Sequence, residues 1–327
     1  MAVTERRMEA DVSVIVVAWN SAAWIERCIA SIAMGCGALR HEVIVYDNAS
    51  SDGTAAMARA ALGSAPGEVI ESVANDGFAG GVNRAVARSR GRFVLLLNPD
   101  CELEPRCVET LVRRLDARAC SAGAAPLLVG TDGTPQREFQ LRRFPTLRTF
   151  VAELLMFERF FGRDRAIERY RCRDLDLSEE QPVEQPAGAA LLLRREVLES
   201  LGPFDERFAP AWFEDVDYCK RIAAAGLELL FVPSARAVHH GGSSLDAMLP
   251  GEFVGIWYGN LWRYAEKWMS ADDREILRVC MIVGSLMRAA AVAAGIGPDG
   301  GRRKLLAAYA GVVRSAWTRW QSDSRSS

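Results

Sequence analysis

Four short stretches of this chain gather side chains able to bind or move charge. In Asp47-Asn48-Ala49-Ser50-Ser51-Asp52-Gly53-Thr54, an apolar run ends in two hydrogen-bonding side chains of a kind suited to a base or a ribose. Helix capping accounts for Ser51, Asp52 and Gly53, but gives no reason for Asp47-Asn48. Asn98-Pro99-Asp100 follows Leu95-Leu96-Leu97 directly. A carboxylate there is a natural ligand for a hard divalent cation that also holds phosphate oxygens; a β-turn is the competing reading. Phe213-Glu214-Asp215-Val216-Asp217 places three acids within four residues. Acids favour a helix N-terminus, and adjacent carboxylates beside aromatic residues also describe a general base tuned by its neighbours. His239-His240-Gly241-Gly242-Ser243 holds two of the three histidines, with metal binding the expected role.

The elements that must carry these residues read as alternating strands and helices. Val12–Ala18 is a continuous β-branched run, as for a strand buried on both faces. Further strands are expected at Glu42–Asp47, Val69–Val73 and Phe93–Leu97, with helices near Ala22–Ala33, Thr54–Ala61, Gly81–Arg90 and Pro105–Leu115. Such alternation implies βαβ units and a mostly parallel sheet, with the ligand outside the carboxyl ends of the strands. Asp47 and Asp100 both fall at such ends. From Leu127 to Glu184 the pattern loosens, with an Arg-rich stretch lacking a clean period. It returns at Ala187–Leu193, a helix over Val216–Ala225, strand-like runs at Leu227–Phe231 and Ala235–Val238, and an aromatic-rich helix over Phe253–Trp268.

Composition sets the outer bounds. The chain has 327 residues, half of them apolar, with 42 acidic and 40 basic side chains for a net charge of −2, so nothing global points to nucleic acid. No C-x-x-C occurs among the eight cysteines, which excludes zinc-ribbon spacing and suits buried, reduced thiols. Gly35-Cys36-Gly37 lacks the third glycine of a dinucleotide fingerprint, and no P-loop motif is present. Met1–Asp11 has Arg6 and Arg7 but no apolar segment, so no secretory signal is expected and the location reads as cytoplasmic. Ile276–Gly297 is interrupted by Arg278 and Arg288, which argues against a clean membrane span. The region from Arg274 onward carries nine basic residues against three acidic ones, beside the apolar runs Ile282–Met287 and Leu305–Val313 and with Trp317 and Trp320 near the end. An interfacial helical hairpin on an anionic membrane is one reading of that tail; helices that merely cover the preceding domain are the other.

Taken in order, these pieces resemble the family 2 glycosyltransferases, in particular a bacterial rhamnosyltransferase-like branch. The segments that carry the resemblance are residues 12–20, 43–54, 75–85, 95–100, 188–197, 202–208, 213–221 and 239–244, spanning about Val12 to Trp268. The resemblance implies an α/β GT-A fold: a mostly parallel, Rossmann-like central sheet flanked by helices, with a helical C-terminal extension. The expected plan is a tail over 1–11, a catalytic domain over 12–270 with a nucleotide-sugar half (12–125) and an acceptor half (126–270), and an extension over 271–327. By the same resemblance Asp47 contacts the base, and Asn20, Asn48, Asn75, Gly77, Phe78, Asn83 and Asn98 lie on the donor side. Asp100 takes the place of the last acid of the D-x-D metal motif, whose first position is Asn98 here. His239, or alternatively His240, meets the diphosphate or a Mg²⁺ or Mn²⁺ ion. Asp215, with Glu214, is the base; Gly188, Asp217 and His240 lie toward the acceptor.

The expected activity is inverting transfer of a sugar, with rhamnose as one option, from a dTDP- or UDP-linked donor to a hydroxyl of a polyprenyl-linked or other cell-envelope glycan. A nucleotidyltransferase and a non-catalytic nucleotide-binding or membrane-docking protein are the alternatives. The former would normally show a Gly-rich basic loop after the first strand, where this chain has Ala18-Trp19-Asn20-Ser21-Ala22.

Overall fold

Strand β1 (Ala10–Ala18) is apolar along its length because it is covered on both faces and paired on both edges, and in the computed structural model only Asp11 escapes full burial. The structure describes residues 10–241, 250–296 and 301–323. β1 pairs in parallel with β2 (His41–Asp47) and with a later strand, Val14 lying opposite Val43 on one side and Leu95 on the other. The intervening helix α1 (Ile25–Cys36) presents Ile25, Cys28, Ile29, Ile32 and Cys36 to the core at helical spacing. It begins three residues later than expected, because the Trp24 and Ile25 amides both return to the Ser21 carbonyl and make a turn of that segment.

The same unit repeats. α2 (Thr54–Leu62) leads to β3 (Gly67–Glu71), parallel to β2, and α3 (Gly77–Arg88) leads to β4 (Gly91–Leu97), parallel to β1. After β5 (Cys101–Leu103) and α4 (Cys107–Asp116) comes β6 (Ser121–Val129), then a turn and the short helix α5 (Arg137–Gln140) with β7 (Leu141–Arg142). The nine-stranded sheet runs β3-β2-β1-β4-β10-β6-β11-β5, where β10 is Ala190–Arg194 and β11 is Glu228–His239; β8 (Gln181–Val183) pairs with β11, and β9 (Gln185–Pro186) with β7. The parallel sheet expected from the alternation is present in β3, β2, β1 and β4. β10 then enters antiparallel between β4 and β6, which local periodicity could not reveal. The two strand-like runs expected at 227–231 and 235–238 are one strand with an irregularity after Val232. α9 (Arg195–Leu201) and α10 (Glu214–Ala224) separate β10 from β11. All eight cysteines are free, and only Cys120 is exposed.

The chain forms two compact units, residues 1–142 with 175–244 and residues 143–174 with 245–327. The expected boundary at 270 therefore does not coincide with the break between them, nor does the division at 125: one sheet contains β1 to β6 together with β10 and β11. The expected tail over residues 1–11 lies outside the described residues up to position 9.

The second unit is helical. It holds α6 (Leu147–Leu154), opened by a Thr146–Thr149 capping box, α7 (Phe157–Phe161), α8 (Arg165–Tyr170), α11 (Pro250–Trp268), α12 (Ala271–Ala293) and α13 (Arg302–Asp323). α12 is long and apolar enough to cross a bilayer by length and composition. Two of its three arginines, Arg278 and Arg288, interrupt the apolar run and are turned into the unit. Arg278 is buried and paired with Glu275, while Arg288 donates to the carbonyls of Leu154, Glu153 and Gly284. The outward face carries Ile276, Val279, Val283 and Leu286, all exposed.

Candidate active site

The junction that organises the first unit's polar centre is the entry to β10. As β4 ends, the Asn98 amide donates to the Ala189 carbonyl at 2.8 Å, and the Cys101 thiol donates to the same oxygen at 3.4 Å. One residue earlier, Gly188 abuts the Asp215 carboxylate so closely that a Cβ there would stand 3.3 Å from Oδ2. Residues 98–101, 188–189 and 215 therefore meet through two adjacent positions of one strand entry. The carboxamide of Asn98 makes no hydrogen bond among the described residues.

Asp215 sits in the first turn of α10, where the Val216 amide donates to its Oδ1 at 2.8 Å. The turn is reached through Trp212 and Phe213, both at φ near +75°, a left-handed backbone that non-glycine residues adopt at a cost of about 1–3 kcal/mol. Partial burial raises the Asp215 carboxyl above the usual aspartate range, against the pull of amides from Val216 and Gly188. Glu214 beside it is buried, and its Oε2 finds no hydrogen-bond partner. Burial first, and the neighbouring Asp215 charge second, push its carboxyl well up, which favours the protonated form. Both carboxyls are thus shifted upward, Glu214 more strongly than Asp215.

Asp100 and His239 come together across the β5–β11 pairing, in which His239 lies opposite Cys101. His239 Nε2 stands 3.6 Å from Asp100 Oδ1, and both side chains are buried. That gap is too long for a hydrogen bond and falls in the roughly 3–3.7 Å that separates neighbouring ligands of one cation with bonds of about 2.1–2.6 Å. Asp100, Cys101 and His239 present ligand atoms within 4.8 Å of one another. The Cys101 thiol is engaged with Ala189, burial drives its ionisation far out of range, and sulfur suits a hard cation poorly. A carboxylate with a neutral imidazole fits Mn²⁺ well and Mg²⁺ less well. Burial lowers the His239 pKa, Asp100 opposing and His240 assisting, which keeps the ring neutral. Of the two histidines, His239 is the one that faces Asp100. The His240 ring bonds Glu102 at 2.5 Å, Glu102 pairs with Arg27 at 2.8 Å, and Trp24 packs on the same ring.

On the other side of β1, Asp47 is buried at the end of β2. Its Oδ2 accepts from the Ser50 amide at 3.1 Å, and its Oδ1 has no partner. A buried acceptor without a donor fits a ligand N–H. Several of the other expected donor-side residues hold the surrounding loops. Asn48 donates to the Gly77 carbonyl at 3.0 Å and accepts from the Asp76 amide at 2.8 Å. Asn20 accepts from the Ser51 amide, and Asn75 from the Gly77 amide. Asn83, expected to line the donor pocket, holds the 204–206 loop with both ends of its amide: it donates to Phe204 O and Glu206 and accepts from Phe204 N. Gly77 is at φ +75°, with the Pro210 carbonyl 3.0 Å from where a Cβ would be, and the Phe78 amide donates to that carbonyl at 2.7 Å. The 75–78 loop is thereby fastened to the loop leading into Glu214-Asp215.

Of the three residues expected toward the acceptor, two are engaged within the protein. Asp217 is fully enclosed, because helical spacing turns it to the inner face of α10, and His240 is occupied by Glu102 and Trp24. Gly188 is the neighbour of Asp215. Gly242, Ser243 and Ser244 lie outside the described residues. The sequence reading passed over Asp76, which accepts from Tyr46 Oη at 2.5 Å and from Ser72, and Gln136 and Phe139, which contact His239. Asp76 lay inside a matched segment; the other two stand in the stretch without periodicity.

A parallel half, an antiparallel crossing strand and carboxylates at the strand ends make up the GT-A glycosyltransferase fold. Solved structures of like fold include the mannosyltransferase PcManGT of Pyrobaculum calidifontis in complex with GDP-Man and Mn²⁺, with TM-score 0.54, 20% identity, and coverage of 96% of this chain and 84% of that one. Another is S. aureus TarS 1–349 in complex with UDP-GlcNAc, with TM-score 0.51, 16% identity, and coverage of 94% and 92%.

The chain belongs to glycosyl transferase family 2, whose family model matches residues 13–202. It is 29% identical over 243 residues to the N-acetylglucosaminyl-diphospho-decaprenol L-rhamnosyltransferase of Mycobacterium tuberculosis, covering 71% of this chain and 76% of that protein. It is 22% identical over 148 residues to the rhamnosyltransferase WbbL of Escherichia coli, covering 45% and 52%. It is a glycosyltransferase that uses a nucleotide-sugar donor, which sets aside the nucleotidyltransferase and non-catalytic readings.

Proposed function

We propose that this enzyme transfers a sugar, rhamnose first among the candidates, from a dTDP- or UDP-linked donor to a hydroxyl of a polyprenyl-linked or other cell-envelope glycan, with inversion at the anomeric carbon. The observation that carries the reading is the Gly188–Ala189 junction, which brings the Asp215 base beside the turn that carries Asp100. Asp47 takes a base N–H with its unpartnered Oδ1. Asp215 removes the acceptor proton as the hydroxyl attacks, and the burial that favours the protonated form of Glu214 disfavours a second negative charge beside it. One base and one displacement give inversion. Asp100 and His239 would hold a Mn²⁺ or Mg²⁺ ion, which when bound neutralises charge on the leaving diphosphate. The names of the relatives from M. tuberculosis and E. coli support the sugar, and that from M. tuberculosis supports the lipid-linked acceptor. Incubated with a panel of nucleotide sugars, the purified enzyme should release nucleoside diphosphate fastest from dTDP-rhamnose, with UDP-sugars next. Release confined to a GDP-sugar would overturn the donor assignment.

The proposed place of action is the inner face of the cell membrane, where a polyprenyl-linked acceptor is confined. The outward apolar face of α12, with exposed Trp317 and the exposed basic residues Arg302, Arg303 and Lys304 on α13, supports interfacial contact. Trp320, the other tryptophan expected to take part, has its side chain outside the described residues. The full chain should co-sediment with anionic liposomes, less so at high salt, and Val279→Asp with Leu286→Asp should abolish binding. Equal sedimentation of this variant would remove the α12 face from the proposal.

A further inference from the structure

His239 ends β11 with one ring nitrogen toward Asp100 and the other toward Gln136. Nδ1 lies 2.8 Å from Gln136 Oε1, while Gln136 Nε2 donates to the His239 main-chain carbonyl at 2.6 Å. Two bonds from one carboxamide to one residue settle which end is which. A carbonyl oxygen only accepts, so the nitrogen end of the amide faces it; the oxygen end then faces Nδ1, which must carry the hydrogen. A proton on Nδ1 leaves the Nε2 lone pair bare on the side of Asp100, 3.6 Å away. Phe139, three residues further on, stacks on the same ring at 4.7 Å between centroids and 23° between planes. Gln136 is itself anchored. Its amide donates to the Leu128 carbonyl at the end of β6, and its own carbonyl accepts from the Phe139 and Gln140 amides.

We propose that Gln136 is a positioning residue for the cation site: it selects the Nδ1–H tautomer of His239 and fixes the ring so that Nε2 points at Asp100, with Phe139 holding the ring face. The inference rests on the reading of His239 as a cation ligand. Loss of such an orienting partner weakens metal binding by about 10–100-fold in comparable sites.

The decisive measurement is ¹⁵N imidazole NMR on the full chain without metal at about pH 8, with the His239 signals assigned by their loss in His239→Ala. Wild type should show the Nδ1–H tautomer, and Gln136→Leu should move His239 to the opposite tautomer or a mixture. In a Mn²⁺ titration followed by electron paramagnetic resonance with UDP present, Gln136→Leu should bind about 10–100-fold more weakly at unchanged melting temperature. An Nε2–H tautomer in wild type, or an unchanged tautomer in Gln136→Leu, would overturn the role of Gln136 whatever the metal does. Mn²⁺ binding in His239→Ala as tight as in wild type would overturn the ligand reading instead, and the tautomer result would stand separately. Should Gln136→Leu fail to fold, the wild-type spectrum alone decides between the two tautomers.

Discussion

Replacing Asp215 with asparagine should lower turnover by about 100-fold or more while leaving donor affinity nearly unchanged. The substitution keeps the shape that packs against Gly188 and still accepts the Val216 amide, but removes the less strongly shifted carboxylate of the pair. The pH dependence follows from the same burial. A base works in its deprotonated form, and Asp215 holds its proton to higher pH than an ordinary aspartate, whose pKa is about 3.9. The acid limb of kcat/KM should therefore lie above that value and vanish in Asp215→Asn. Glu214→Gln mimics the protonated form that burial favours and should cost less than about 10-fold. Steady-state kinetics on both variants, with donor affinity from calorimetry, separates them. Near-normal turnover in Asp215→Asn together with a collapse in Glu214→Gln would reverse the assignment.

An excess of chelator should abolish transfer, and Mn²⁺ should restore it more fully than Mg²⁺. The preference follows from the donor set. Mg²⁺ takes oxygen ligands, whereas the pair here is the Asp100 carboxylate and the His239 imidazole. Asp100→Asn should be as inactive as the chelated enzyme even with added Mn²⁺, since Asn98 already occupies the other end of the motif and no second carboxylate replaces the lost charge. Initial rates of nucleoside diphosphate release, measured across metals in wild type and variant, check both statements. Full activity in excess chelator would show that the site works without a cation.

Much of the frame was legible because burial leaves a periodic signature. Val12–Ala18, Glu42–Asp47 and Phe93–Leu97 read as strands since each is buried on both faces, and Asp47 and Asp100 stand at their carboxyl ends in the structure as the topology of such sheets requires. The antiparallel entry of β10 was not legible. A short apolar run carries no record of its direction or its neighbours, and both are decided by which edge the folded sheet leaves open. The division of the chain into units was hidden for the same reason: residues 143–174 join the C-terminal helices across a long stretch of sequence.

At the site, the residue types came from sequence and their partners from folding. That two histidines next to each other at a strand end point to opposite faces is implied by the two-residue alternation of a strand; only the packed molecule shows that His239 turns to Asp100 and His240 to Glu102. The asparagines show the limit most plainly. A carboxamide reads as a ligand-binding group wherever it stands, yet Asn48 and Asn83 are satisfied by backbone 28 to 121 residues away. The sequence by itself determined where strands end and which acids wait there, because hydrophobic periodicity is local. The tertiary structure alone decided which polar groups are satisfied by the protein and which are left for a ligand, because burial and hydrogen bonding are settled by residues distant in the chain.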